Sequence, residues 1–122
     1  MVADGLWTIV FSAASEVHGG STVSEEINRG GVFVISNGRI HGGGISFYFL
    51  GKCSEDAEGV HVKVRAVRYN DLVASAFGEE NNVDLEFHGH VTGESMSLDG
   101  NVVNRPQAQM KIYAQRRARI PG

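Results

Sequence analysis

The sequence predicts an all-β protein, an antiparallel eight-stranded β-barrel with at most one short helix. Apolar and polar residues alternate in one segment after another, at spacings of about 8 to 12 residues, which is typical of barrels and sandwiches. Glycine accounts for 16 of the 122 residues and proline for only 2. Because the glycines follow no collagen-like period and lie among many β-branched and aromatic residues, they indicate turns and bends rather than disorder. The length indicates a single domain, residues 1–122.

The first half of the chain contains four predicted strands, rich in aromatic and β-branched residues. They are Gly5 to Ala13, Gly31 to Ser36, Arg39 to His41 and Ile45 to Lys52. Asn37-Gly38 suits the positive φ angles of a type I′ hairpin turn, so it joins the second strand to the third. We expect Gly42 to Gly44 to interrupt the ladder and to put a bulge or sharp bend at the start of the fourth strand.

The second half of the chain repeats the alternation. An acidic turn, Glu55 to Gly59, precedes the clearest alternating segment, Val60 to Ala66. Further strands are predicted at Val83 to Val91, at Met96 to Val102 after a turn near Gly93, and at Ala108 to Gln115.

Two segments interrupt the strands. Ser15 to Arg29 is polar and carries a Thr22-Val23-Ser24-Glu25 capping-box match, so it is read as a loop or one helical turn. Asn70 to Asn82 places Leu72, Val73, Ala76 and Phe77 at helical spacing after an Asn-Asp N-cap. We predict a short helix there, with its apolar face plugging one mouth of the barrel.

A barrel of eight strands encloses room for side chains or for one small ligand. Closing so small a barrel requires positions without a Cβ atom, which gives a mechanical use to Gly42 to Gly44, Gly51, Gly89 and Gly93. If the barrel holds an apolar ligand, the predicted lining consists of inward-facing side chains. These are Phe47, Phe49, Val60, Val62 and Val64.

Charge and cysteine content indicate the cellular compartment and the classes of partner that the protein can bind. A net charge of −3 disfavours nucleic-acid binding, and the late basic cluster Arg116, Arg117 and Arg119 is read as a solvated tail. The single Cys53 excludes an internal disulfide, and its acidic neighbours are expected to raise the thiol pKa. No apolar stretch approaches the roughly 18 residues of a membrane helix, and the N-terminus lacks signal-peptide features. We therefore expect a cytoplasmic protein that binds neither membrane nor nucleic acid.

No catalytic motif is recognisable, because the chain has neither a Gly-x-Ser-x-Gly elbow nor a phosphate-binding loop. His88 and His90 project from the same face of one strand, beside Asp84 and Glu86, which is a possible start of a divalent metal site. The polar face of an ordinary amphipathic strand gives the same pattern. We expect no enzyme, metal or cofactor.

Gly5-Leu6-Trp7 is similar to the Gly-x-Trp motif that opens many lipocalin-type barrels. In those proteins the indole closes one end of the barrel, and a late basic residue stacks on it. The resemblance implies Trp7 as the barrel-closing residue and Arg116 or Arg117 as the cation.

A longer series of short motifs resembles the type III secretion negative-regulator family, in the family's order and over most of Asp4 to Ala118. The motifs are Asp4-Gly5-Leu6-Trp7, Asn37-Gly38-Arg39-Ile40-His41-Gly42-Gly43, Phe47-Tyr48-Phe49 with Gly51, Ser54-Glu55-Asp56, Arg68-Tyr69-Asn70, Asn81-Asn82 and His88-Gly89-His90-Val91-Thr92-Gly93. This resemblance implies a cytoplasmic, homodimeric, lipocalin-like barrel that represses gene expression by binding a transcriptional activator.

The family's acidic surface loop matches Glu55-Asp56-Ala57-Glu58, with Ala57 in place of one acid. The resemblance therefore implies Glu55, Asp56 and Glu58 as the residues that bind a basic transcriptional regulator. An exposed acidic turn can steer such a partner electrostatically. A solvated hairpin turn without a partner accounts for the same residues.

Homodimerisation is also favoured by the first strand, which has apolar residues on both faces, such as Trp7 and Ile9 opposite Leu6 and Val10. Three functions thus stay open at this point: a regulator that binds a protein, a carrier of a small apolar ligand, and a metal-dependent enzyme. The first is the prediction and the second is the main alternative.

Overall fold

The computed structural model describes residues 2–13, 29–69 and 81–120, and these form a closed antiparallel β-barrel of eight strands. The strands are β1 (Gly5–Ala13), β2 (Arg29–Ser36), β3 (Arg39–Gly44), β4 (Phe47–Asp56), β5 (Gly59–Arg68), β6 (Asn82–Thr92), β7 (Ser95–Val102) and β8 (Arg105–Ala118). Each strand pairs with the next, and β1 pairs with β8 to close the sheet. The predicted fold class is confirmed.

The three described ranges contain no helix, and hence none long and apolar enough to cross a membrane. Asn82, the last residue of the segment predicted to be helical from Asn70, begins β6, whereas residues 70–80 lie outside the described part of the chain. Most of the polar segment from Ser15 also lies outside it, since the description resumes at Arg29, where β2 begins.

The expected break at Gly42 to Gly44 is wrong. These glycines belong to β3 and pair in regular register with β2, because a ladder needs only backbone donors and acceptors. The chain bends directly after β3, at Ile45 and Ser46. The register shifts lie elsewhere, between Leu6 and Trp7 in β1 and between Asn101 and Val102 in β7.

The β2–β3 turn has the predicted geometry. Asn37 and Gly38 have φ angles of 52° and 76°, the left-handed values of a type I′ hairpin. Ser36 consequently lies directly opposite Arg39. This turn, the β4–β5 turn and the β6–β7 turn all lie at the barrel end where β1 begins, which we call the turn end.

Inward-facing glycines allow neighbouring strands to approach closely. A Cβ atom on Gly89 would lie 1.8 Å from the carbonyl oxygen of Ser97, and one on Gly51 would lie 2.1 Å from that of Lys63. Such distances are far inside van der Waals contact, so a side chain would push the strands apart. The predicted need for a position without a Cβ atom is confirmed at Gly42, Gly51 and Gly89, whereas a Cβ atom on Gly93 would meet nothing within 4 Å.

The barrel interior is the hydrophobic core. The inward face of every strand contributes buried apolar side chains, and Trp7, Ile35, Val83 and Leu98 are the largest that are fully buried. The outer face is consequently the part of the barrel wall that can bind another macromolecule.

Candidate functional site

The acidic segment lies at the β4–β5 hairpin of the turn end, and its three acids do not form one patch. Because β4 extends to Asp56 and β5 begins at Gly59, the turn itself is Ala57 and Glu58. Side chains alternate along β4, so Glu55 and Asp56 point to opposite sides of the sheet. The structure brings Asp56 and Glu58 together and separates Glu55 from them.

Glu55 holds the N-terminal segment. Its carboxylate accepts hydrogen bonds from the backbone N–H groups of Ala3, at 2.8 Å, and Val2, at 3.3 Å. A carboxylate used in this way is already partnered within its own chain. Substitution of Glu55 would therefore disturb the barrel end as well as any external contact.

Asp56 is exposed and fixes the shape of the turn. Its Oδ1 atom accepts a hydrogen bond from the backbone N–H of Glu58 at 2.8 Å, and its Oδ2 atom lies 3.1 Å from Nε2 of His61. The Glu58 N–H bond is the main cause that lowers the pKa of Asp56, and His61 contributes in the same direction. The carboxylate is thus ionised and presented in a defined position.

Asp56, Glu58 and His61 also place three potential metal-ligand atoms within 4.8 Å of one another. This set differs from the sequence-derived one, since His88 and His90 lie on the exposed outer face of β6. A four-coordinate structural zinc site requires one more donor, and no fourth described residue joins the group.

Trp7 closes the turn end of the barrel. The indole is completely buried, and its Nε1–H donates a hydrogen bond to the carbonyl of Ala3 at 2.9 Å. The guanidinium carbon of Arg116 lies 4.9 Å from the centre of the Trp7 ring system, within cation–π distance. The predicted cation is therefore Arg116 rather than Arg117.

Arg116 is not part of a solvated tail, and this correction follows from its side chain, which is only 4% exposed. Its guanidinium makes five hydrogen bonds that join the N-terminal segment to the β6–β7 turn. The acceptors are the carbonyls of Val2, Asp4 and Gly93 and both carboxylate oxygens of Glu94. The Arg116 hydrogen bonds are the main cause that lowers the pKa of Glu94, and Arg119 adds to the shift.

The barrel interior holds an apolar cavity of about 30 Å³. Of the predicted ligand-lining residues, Phe49, Val62 and Val64 line this cavity, whereas Phe47 and Val60 are buried elsewhere in the core. A volume of this size holds about one water molecule, whereas ligand pockets begin at roughly 300 Å³. The described side chains therefore fill the interior.

Cys53 is buried, as predicted for a packing thiol. Burial, with smaller contributions from the charges of Glu55 and Asp4, raises the pKa of the Cys53 thiol to about 11. The predicted direction of the shift is confirmed, although burial rather than the neighbouring acids is its largest cause.

Apolar side chains on the outer faces of β8, β1, β2 and β4 form a second surface feature. We call it the outer apolar face. It comprises Leu6, Val10, Val32, Tyr48, Leu50 and Tyr113, all at least 36% exposed. The register makes it continuous, because Tyr113 lies opposite Val10 and only Gly43 separates Val32 from Tyr48.

Sequence reasoning missed a third feature, a row of basic side chains across β3, β4 and β5. Arg39 lies directly opposite Lys52, and Lys52 lies directly opposite Lys63. Lys52 and Lys63 pair because they are equally far from the observed turn at Ala57 and Glu58, and the predicted turn, Glu55 to Gly59, does not by itself define this register.

Comparison with known proteins does not place the chain in a family. No protein-family model matches it, and no curated protein matches it in sequence. What the structure itself establishes is the architecture, a closed eight-stranded antiparallel β-barrel consistent with a lipocalin-like fold.

Proposed function

We propose that this chain is a cytoplasmic, non-enzymatic regulator that binds a protein partner on the outside of the barrel. The observation that carries the proposal is the contrast between a filled interior, with a cavity of about 30 Å³, and an exposed turn that presents Asp56 and Glu58. The motif resemblance to type III secretion negative regulators supports the specific role, repression through a basic transcriptional activator.

Asp56 and Glu58 suit electrostatic recognition. Both are exposed, and the bonds of Asp56 to Glu58 N–H and to His61 hold the turn in one shape. Charged groups at the rim of an interface mainly set the association rate and the choice of partner. A basic protein surface is the partner that such a turn selects.

The decisive experiment compares two double variants with the same change in net charge. Asp56→Asn/Glu58→Gln removes the turn charges but keeps the Asn oxygen that accepts the Glu58 N–H. Asp99→Asn/Glu86→Gln removes two exposed charges from the outer faces of β6 and β7. Glu55 is left unchanged, because its carboxylate binds the N-terminal backbone.

Each variant is used to capture proteins from the source cell, and the captured partner is then titrated in purified form. We expect the turn variant to bind it at least about tenfold more weakly and the control variant to bind like wild type. Equal binding by all three proteins would exclude the turn as the contact.

In the cell, deletion of the gene should raise expression of type III secretion genes, and unchanged expression would refute the regulatory role.

The proposal includes a homodimer formed through the outer apolar face. Soluble monomers rarely expose contiguous apolar patches of more than a few hundred Å² unless the patch binds something. A second copy of the chain offers the same face, and a twofold interface pairs a surface with itself.

A carrier of a small apolar ligand is the second candidate function. It is favoured by the cavity lining, which consists only of apolar side chains, including Phe49, Val62 and Val64. A fluorescent fatty-acid analogue tests it. Saturable binding that Val62→Trp abolishes would support a carrier, and no binding would remove this candidate.

A further inference from the structure

The basic row Arg39, Lys52 and Lys63 is unusual in its geometry. The three residues occupy three neighbouring strands in direct register, and all three side chains are exposed on the outer face. Like charges directly opposite each other in a sheet are destabilising. The fold itself therefore gains nothing from this arrangement.

The other described basic side chains have partners, and the basic row does not. Arg65 binds Asp84, Lys111 lies 3.6 Å from Asp99, and Arg119 binds Glu94. Arg68, Arg105, Arg116 and Arg117 also make contacts. Within the described residues, the side chains of Arg39, Lys52 and Lys63 form no hydrogen bond or ion pair, although Glu86 lies opposite Lys63.

Lys52 and Lys63 also line an open groove of about 800 Å³ on the wall of the barrel. Ser54 and His61 lie on the side of the groove toward the turn, and Glu86 lies on the β6 side. Asp84 in the same groove is already paired with Arg65. The lysines are thus the unpaired charges of the groove, together with the single carboxylate of Glu86.

The charges around the row define what can occupy it. Asp56 and Glu58 lie at one end of the hairpin, and Asp56 is four residues from Lys52 along β4, or about 13 Å at the usual strand rise. A long polyanion lying along the hairpin would pass these carboxylates, and one lying across the strands would pass Glu86. A short segment with two or three carboxylates meets the row alone.

We propose that Arg39, Lys52 and Lys63 are a docking surface for a short acidic segment of a partner protein. The inference is independent of the acidic turn, because it rests on different residues and the opposite charge. A partner that also binds Asp56 and Glu58 would present basic and acidic groups about 13 Å apart, at the spacing of the two sites.

The test uses the whole protein and a fluorescein-labelled triglutamate peptide, with triglutamine as the uncharged control. Binding is followed by fluorescence anisotropy, and the site is mapped by amide chemical-shift changes. We expect the peptide to shift the amides around Arg39, Lys52 and Lys63. Lys52→Gln/Lys63→Gln should weaken binding at least about tenfold, because charge pairs to the peptide are lost.

Lys111→Gln/Arg119→Gln is the matched control, since it removes two exposed positive charges that are already paired. This variant should bind the peptide like wild type. Lys52→Glu serves as a second variant that should fold at least as well as wild type, because Arg39 and Lys63 then face an opposite charge on both sides. It should abolish peptide binding while its thermal unfolding midpoint is unchanged or raised.

Three results would overturn the proposal. The first is equal binding by wild type and the Lys52→Gln/Lys63→Gln variant. The second is an equal loss in the Lys111→Gln/Arg119→Gln control, which would indicate net-charge attraction only. The third is tighter, row-dependent binding of single-stranded DNA or polyphosphate of the same charge, which would assign the surface to a phosphate polymer. None of these results bears on the acidic-turn variants, so the two proposals fail separately.

Discussion

At the residue scale, Arg116 joins the N-terminal segment to the β6–β7 turn at the turn end of the barrel. One buried guanidinium binds the indole face of Trp7, two carbonyls of the N-terminal segment and the carboxylate of Glu94. Lysine cannot replace this planar set of five donors, because an ammonium group has only three donors around one point charge. The N-terminal segment is therefore held from two sides, by Arg116 and by Glu55.

We predict that Arg116→Met lowers the free energy of unfolding by about 2 to 4 kcal/mol, because a buried charge network loses its central donor. Arg116→Lys should fall between this variant and wild type. Urea unfolding followed by Trp7 fluorescence measures the effect. The exposed neighbour substitution Arg117→Met is the control and should cost much less, since Arg117 makes one hydrogen bond, to Thr8. Equal losses at the two positions would contradict this role of Arg116.

Cys53 illustrates how burial controls chemistry at a single residue. With a thiol pKa of about 11, only about one Cys53 in a thousand is ionised at pH 8. We predict that a disulfide reagent leaves the native protein unlabelled at pH 8 and labels it fully in urea. Rapid labelling of the native protein would show that the thiol is accessible.

The same pKa shift predicts a pH dependence of stability. The folded pKa lies above the unfolded value of about 9, so the folded state favours the neutral thiol. The contribution of the Cys53 thiol to the free energy of unfolding is therefore fully present below pH 9 and is lost as the pH rises toward 11. Wild type should lose stability in that window relative to Cys53→Ala, and parallel pH profiles would contradict the shift.

At the element scale, neighbouring strands approach each other closely at positions that lack side chains. Gly89 of β6 lies against the backbone of β7, where a Cβ atom would be 1.8 Å from the carbonyl oxygen of Ser97. We predict that Gly89→Ala costs about 1 to 3 kcal/mol of unfolding free energy, the usual cost of forcing extra atoms into a packed site.

Gly30→Ala is a matched control within the same barrel. A Cβ atom there would meet its nearest neighbour, the Ile9 carbonyl oxygen, at 3.9 Å, an ordinary contact. This substitution should be neutral or stabilising by about 0.4 to 1 kcal/mol, because alanine restricts the unfolded chain. Equal effects of the two substitutions in thermal unfolding would show that close approach does not set the glycine requirement.

Local patterns determine the elements that could be predicted, and long-range register determines those that could not. Turn chemistry at Asn37-Gly38 defines the internal pairs of the β2–β3 hairpin, whereas the predicted turn from Glu55 to Gly59 locates the β4–β5 hairpin without defining its register. Extending the alternation of Ile112 and Ala114 by two residues selects Arg116 as the inward-facing cation. The pairing of Arg39 with Lys52 depends on how many residues the irregular bend at Ile45 and Ser46 contains. No local sequence pattern predicts that number.

The same limit applies to the candidate site. The acidic residues were identified from the sequence, but the division between Glu55 and the Asp56–Glu58 pair depends on an N-terminal segment that folds back over 52 residues of chain. Short motifs predict which residues are present at a turn. They do not predict which of those residues form hydrogen bonds with other parts of the chain.

At the scale of the whole molecule, a barrel wall has two faces, and here both carry apolar side chains along β1. The inner face is buried in the core, whereas Val10 and Tyr113 are exposed side by side on the outer apolar face. The acidic turn lies on the β4–β5 hairpin and the basic row lies on β3, β4 and β5, away from β8 and β1. A second copy can therefore cover the part of the outer apolar face that lies on β8, β1 and β2 while both charged sites stay open.

We predict that the wild-type protein sediments as a dimer and that Val10→Glu/Val32→Glu converts it to a folded monomer. Two carboxylates placed in an apolar interface would lose hydration without gaining a partner, so association should weaken at least about tenfold. Val103→Glu is the control, because Val103 is similarly exposed, at 45%, but lies on the β7–β8 turn outside the outer apolar face. A wild-type monomer, or a dimer that survives the double substitution, would contradict this interface. Retention of partner binding by the monomeric variant would then show that the charged hairpin acts independently of self-association.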